Sequence, residues 1–167
     1  MKYATLLFPI LLGLASAPAL AQSPRASDAI GFWLDQDQGW VVETAPCPNG
    51  NGLCGTLVSY RDDADMANVS LDAHNPDPSK RTMPLCGIQL LGGFTPVKDR
   101  EVEWEHGWVY ATDTGKTYTG EAKMIDMNTI KLRGFVFISL FGRTLTMTRE
   151  VGTVVRCSAY PGNNVGR

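Results

Sequence analysis

Residues 104–149 read WEHGWVYATDTGKTYTGEAKMIDMNTIKLRGFVFISLFGRTLTMTR. Small or apolar residues alternate with polar ones, the period of two by which successive strand side chains point to opposite faces of a sheet. The alternation breaks at Asp113-Thr114-Gly115 and at Asp126-Met127-Asn128, both rich in turn-forming residues. An antiparallel meander follows from this. It predicts an all-β fold, a small antiparallel up-and-down barrel.

Register can be set by matching faces, because a one-residue slip sends every side chain to the wrong side. Tyr118, Gly120, Ala122 and Met124 share one face and are expected inside, as are Ile130, Leu132, Gly134 and Val136 on the next strand. Keeping even opposite even requires an odd loop. Asp126-Met127-Asn128, with Asn128 left-handed, pairs Met124 with Ile130, Ala122 with Leu132 and Gly120 with Gly134. The same rule applied to Asp113-Thr114-Gly115 pairs Tyr110 with Tyr118 and Trp108 with Gly120, so that the tryptophan fills space beside two glycines. Gly115-Lys116-Thr117 is then hairpin chemistry. A phosphate loop would need glycine where Tyr110 stands, and it must open a helix.

Working outward, Lys2 precedes an apolar run from Tyr3 to Ala15, and Ala19-Leu20-Ala21 supplies small residues. This reads as a secretory signal peptide over residues 1–21, leaving one domain over 22–167. Pro9, Gly13 and Pro18 interrupt the run, which falls short of the ~20 apolar residues of a membrane span. No stable membrane insertion is expected. The chain carries a formal net charge of −2, and its Lys and Arg are scattered, which argues against nucleic acid as a partner.

All four cysteines lie in the exported part, so an oxidising, periplasmic or secreted location permits disulfides. Three connectivities exist. The Pro/Gly/Asn-rich loop CPNGNGLC favours Cys47–Cys54, leaving Cys86–Cys157. Zinc is disfavoured by a cysteine spacing wider than C-x(2–4)-C, and no metal or cofactor is expected.

Before the meander, strands are expected from Ile30 to Leu34, Trp40 to Thr44, Leu53 to Tyr60 and Leu85 to Leu91, with Gly55 a bulge or close-approach point and Gly92-Gly93 as punctuation. Residues 61–84 form one long connection, rich in Asp, Asn and Pro. Asp62 to Val69 has room for a helical turn, and Pro76, Pro78 and Pro84 forbid a regular element later. Connections this long are either binding loops or plain crossovers, here packed by Met66, Leu71 and Met83. Asp72, His74 and Asn75 are its candidate site residues.

Gly31-Phe32-Trp33 is a G-x-W at the start of the first strand, and Arg149 ends the last. The pair resembles the signature of lipocalin-like (calycin) barrels, in which the arginine stacks on the tryptophan across the barrel's end, worth roughly 0.5–2 kcal/mol. GFW at 31–33, LCG at 53–55, Asp72 and Asn75-Pro76 leading to Pro84 and Gly87, the Trp104–Tyr110 strand, GKTY at 115–118, RGF at 133–135, SLFGRT at 139–144 and Thr148-Arg149 together resemble DUF2147, a family of uncharacterised exported bacterial proteins. Ala111-Thr112 and Met147 depart from that pattern, where an Asp-Pro pair and an aromatic residue are common. The resemblance implies an exported location and a lipocalin-like barrel; it implies no reaction.

No catalytic residue stands out. His74 lies near Asp72 and Asp77, and His106 near Glu103 and Glu105, without metal-ligand spacing, and G-x-S-x-G, H-E-x-x-H and C-x-x-C are missing from the sequence. Binding fits better. Small inward residues leave room in a barrel that can just hold a small ligand, with walls from Trp104, Trp108, Tyr110 and Tyr118, and Lys116 or Arg133 at a rim. That set suits an apolar or amphipathic molecule carrying an acid group. The alternatives are an envelope structural or interaction protein, with a filled core and Phe135–Phe141 meeting a protein partner, and, third, a hydrolase or transferase.

Overall fold

The computed structural model describes residues 23–50, 52–61, 70–136 and 142–157. Eight strands follow one another: β1 (Gly31–Asp35), β2 (Trp40–Pro46), β3 (Leu53–Tyr60), β4 (Gln89–Val97), β5 (Arg100–Ala111), β6 (Lys116–Asp126), β7 (Thr129–Phe135) and β8 (Gly142–Arg149). Each pairs antiparallel with its sequence neighbour, and β8 returns to β1, closing an up-and-down barrel. Closure gives every strand a neighbour on each side. The seam is short: Trp33 faces Arg149, Leu34 faces Thr148 and Asp35 faces Met147.

One end of the barrel is sealed. A 3-10 turn, Ala26–Ala29, lies beneath β1, and Trp33, fully buried, donates its indole N–H to the Ala29 carbonyl (2.9 Å) and the Thr44 hydroxyl (3.0 Å). The Arg149 guanidinium carbon sits 4.3 Å from the Trp33 ring centroid. Its Nε donates to the Met127 carbonyl at 2.7 Å, and a second nitrogen donates to the Asp28 carbonyl. One side chain thereby joins the 3-10 turn, the β6–β7 turn and the seam. Gly31 makes room for it: the backbone there has φ +137°, and a Cβ would stand 3.1 Å from the guanidinium.

Both disulfides have the expected pairing, Cys47 with Cys54 and Cys86 with Cys157. The second anchors residues 150–157, which cross the outer face of β1, β2 and β3. Glu150 N–H donates to the Phe32 carbonyl (2.9 Å), the Ser59 hydroxyl donates to the Val155 carbonyl (2.7 Å), and Arg156 pairs with Glu43 (2.5 Å). Beneath this strap Leu34, Val41 and Val58 are buried with Phe32 and Val154 packed against them. Strands β1 to β3 are therefore covered on both faces, which is why they read as apolar runs instead of clean alternation.

The β6–β7 register is the expected one: Met124 with Ile130, Ala122 with Leu132, Gly120 with Gly134. Its turn is not. Asp126 pairs with Thr129 across the two residues Met127 and Asn128, and a register shift at Ile125 preserves the parity upstream. Asn128 is not among the non-glycine residues with positive φ, which are Asp99 and His106.

The β5–β6 pairing differs by one residue. Tyr110 faces Thr117, Val109 faces Tyr118, Trp108 faces Thr119 and Gly107 faces Gly120. Tyr110 and Tyr118 thus lie on opposite faces, across a four-residue turn, 112–115. The cause is a bulge in β5 between Trp104 and Gly107, where His106 takes φ +60°. A bulge inserts one residue and flips the faces beyond it, so Trp104 and Gly107 both point inward while Trp108 points out.

Gly92-Gly93 lies within β4 and does not end it. The β3–β4 register shifts opposite this point, between Leu53 and Gly55, and Gly93 has φ +70°. Matching kinks in neighbouring strands turn Phe94 inward over Gly107 and Gly120, while Trp108 covers Gly92 and Gly93 from outside. Gly55 is the close approach that was expected: a Cβ there would meet Leu91 Cγ at 2.8 Å.

Candidate functional site

The glycine row splits the barrel interior into two regions. Around Gly107 and Gly120 the space is taken by the fully buried Phe94, whose Cζ would lie 2.6 Å from a Cβ on Gly120. Around Gly134 it is not: the nearest atoms to a Cβ there are Tyr118 Cβ at 3.5 Å and Val109 Cβ at 3.9 Å. From Gly134 to the unsealed end runs a cavity of about 810 Å³. Val109, Tyr118, Leu132, Leu145 and Phe135 form its apolar wall, Trp40 closes one side, and the β1–β2 and β5–β6 turns frame the mouth.

Charge enters at two places. Next to the β1–β2 turn, Asp35 is 4% exposed, on the face it shares with its partner Met147 in the core. Its Oδ1 accepts the backbone N–H groups of Asp37 (2.9 Å) and Gln38 (3.3 Å), shaping the β1–β2 turn. Burial raises its carboxyl above the ordinary carboxylate range, the two N–H groups oppose this, and the Asp37 charge adds to it. At the mouth, Arg143 reaches from β8 to Asp113 on the β5–β6 turn, 3.6 Å apart and well exposed, a pair worth little energetically but placed across the opening.

The long connection docks beside this mouth through a buried polar link. Tyr110 donates its hydroxyl to Asp72 Oδ1 at 2.6 Å, and Asn75 Nδ2 donates to Asp72 Oδ2 at 2.5 Å. Burial, donation to Asp72 and the carboxylate charge together push the Tyr110 phenol up to about 12. Gly115, at φ +68°, lets the β5–β6 turn sit against the His74 carbonyl, where any Cβ would collide. Leu71 and Met83 are about half exposed, so polar contacts, and not these side chains, fasten the segment. Met66 and the expected helical turn lie outside the described residues.

Of the residues singled out from sequence, Tyr110 and Tyr118 border the cavity. Trp104 is buried in the core near the sealed end. Trp108 lies on the outer face. Lys116 is exposed at the start of β6, and Arg133 on β7 donates to Thr144 Oγ1 (2.8 Å); neither is part of the cavity lining. Asp72 and Asn75 form the docking link, with His74 exposed beside them. His106 is exposed at the β5 bulge, 3.7 Å from the Glu105 carboxylate. Trp33 and Arg149 form the clasp. Among the described residues no group of three or more His, Cys, Asp or Glu is placed to hold a metal ion, and no helix is long and apolar enough to cross a membrane. Residues 137–141 of the apolar run, and the expected leader over residues 1–21, lie outside the described residues.

Asp35 and Arg143 were not foreseen. Two positions after the inward Trp33, Asp35 shares its face, and that spacing is the signal the sequence carries. Arg143 lies within SLFGRT, quoted above for the resemblance alone.

A barrel sealed at one end by a G-x-W tryptophan and an arginine, with a cavity toward the other end among the described residues, defines the lipocalin-like class. In agreement, the fold matches a solved structure described as "Protein HP1028 from the human pathogen Helicobacter pylori belongs to the lipocalin family", with a TM-score of 0.61 and 20% identity over 72% of this chain and 82% of that one. The chain belongs to the DUF2147 family, described as an uncharacterized protein conserved in bacteria, whose model matches residues 31–149. No curated protein sequence matches it.

Proposed function

We propose that this protein is an exported small-ligand binding protein that holds an apolar or amphipathic molecule in the unsealed end of its barrel. The observation that carries the reading is the cavity at Gly134. At about 810 Å³ it falls within the roughly 300–1,000 Å³ of small-molecule sites, and it combines an apolar wall with a few polar groups, as such sites do. Its location between Tyr118, Leu132 and Leu145 makes it part of the barrel interior and not a surface crease. Export is supported by two disulfides, which persist in oxidising compartments, and by the leader-like residues 1–21.

Native mass spectrometry of protein recovered from the exported fraction tests both parts. Loss of residues 1–21 and a mass excess from a co-purifying small molecule are expected. Gly134→Phe, which puts a ring into the cavity, should abolish the excess. A clean mass for the wild-type protein, together with no uptake of an apolar fluorescent probe, would overturn the binding role.

A further inference from the structure

We propose that the cavity selects ligands whose polar end is an amine or other cationic donor, received by the Asp35 carboxylate. The assignment rests on the ligand-binding reading above and goes on to name the head group. Asp35 is more than nine-tenths buried, on the inner face of β1. Both turn hydrogen bonds go to Oδ1, and Oδ2 is not among the buried side-chain atoms without a partner, so it keeps its access to solvent in the cavity that Asp35 lines. A ligand donor or cation can take the place of water on that oxygen, and a charge-assisted hydrogen bond made there, shielded from bulk solvent, is stronger than a neutral one. Tight burial of the kind found at Asp35 exceeds what capping an exposed turn requires.

The other charges agree. Among the described residues Asp35, Asp37 and Asp113 line the cavity against one cation, Arg143, and Arg143 is engaged with Asp113. A concave, low-dielectric site whose lining carries an excess of one sign of charge draws the opposite sign. An acid-bearing ligand would have to shed water beside Asp35 with no cation there to receive it. Lys116 and Arg133, which suggested an acid group from sequence, are not in the lining. The apolar body of the ligand would lie along Val109, Leu132 and Leu145, with the mouth pair above it.

Three probes with one tail and different heads test this on the full mature chain by titration calorimetry: octylammonium, octanol and octanoate. The ammonium should bind tighter than the carboxylate by roughly tenfold or more, the size of one hydrogen bond to a charged group. Asp35→Asn should bring the ammonium and the carboxylate to within about twofold of each other. Asparagine keeps a side-chain oxygen for the Asp37 and Gln38 N–H groups, and thermal unfolding checks that the variant folds; the wild-type comparison stands without it. If octanol binds and the ammonium is no better than octanoate, the head-group assignment fails while the cavity keeps its binding role. If no probe binds, the binding role fails and takes this assignment with it. An ammonium preference that survives in Asp35→Asn moves the site to Asp37 or Asp113 and overturns the role given to Asp35.

Discussion

Replacing Gly120 and Gly134, one at a time, by alanine separates a filled interior from an open one. The two glycines face each other across β6 and β7 and receive the same added methyl group. At Gly120 that group would lie 2.6 Å from Phe94 Cζ and 3.0 Å from both Phe94 Cε1 and Val109 Cγ2. Phe94 cannot retreat, because it is fully buried and its ring already presses on Gly107. Overpacking of this kind costs about 1–3 kcal/mol. At Gly134 the nearest atoms are 3.5 and 3.9 Å away, ordinary contact, and φ there is not positive. Removing glycine's freedom in the unfolded chain then stabilises by roughly 0.4–1 kcal/mol. The pair should differ by about 2–3 kcal/mol, or some 5–10 °C in Tm for a domain of this size. Urea unfolding and calorimetry read the difference. Equal destabilisation at both positions would refute the division of the barrel into a Phe94-filled region and a cavity.

Three further outcomes are expected. Arg149→Met should lower stability by roughly 1–3 kcal/mol in urea unfolding, through lost stacking on Trp33 and two orphaned carbonyls, and Arg149→Lys should recover little because it lacks the planar fork. Tyr110→Phe should cost about 1–3 kcal/mol by stripping Asp72 of a buried donor, and limited proteolysis should cut within residues 70–84 faster; an unchanged cleavage rate would count against the docking link. Asp35 titrates above the ordinary carboxylate range in the fold, so its favourable contribution is complete below that range and is lost as pH rises through its folded value. The stability of Asp35→Asn relative to wild type should therefore climb across that window, as measured by urea unfolding at a series of pH values, and a flat difference would contradict a buried carboxyl.

The parts of the fold that could be read from the residues are those where one rule acts alone. Ile130, Leu132 and Gly134 keep strict parity with Met124, Ala122 and Gly120, so β7 found its register even though its turn was counted wrongly; the shift at Ile125 compensated for the missing loop residue. In β5 two rules conflict. His106 carries no turn signature, yet it adopts a left-handed conformation and reverses the faces of Trp108 and Tyr110. The Gly92-Gly93 doublet looked like an end because glycine is usually punctuation, whereas here it admits Trp108 on one side and turns Phe94 to the other. The cavity was harder to place for the same reason. Its extent depends on which of several glycines Phe94 covers, a contact between strands that no local pattern encodes. Asp35 serves a turn and an interior at once, and only the turn is visible in the chain.

The strap over β1, β2 and β3 bears on the order in which the barrel assembles. Seven of its eight seams join neighbours in sequence, whereas the β1–β8 seam joins Trp33 to Arg149 across nearly the whole domain. Contacts of such long range form late, after shorter loops have closed. The Cys86–Cys157 bond spans a shorter stretch, with a sequence separation of 71. It encircles β4 to β8 in one covalent ring and holds β1 to β3 under the strap. Once it has formed, parting the seam cannot unroll the sheet, since the first three strands remain tethered from outside. Oxidation then latches the seam from outside, and reduced protein should retain the strands while exchanging its β1–β8 amides faster than those of any other seam, a difference that hydrogen exchange can resolve.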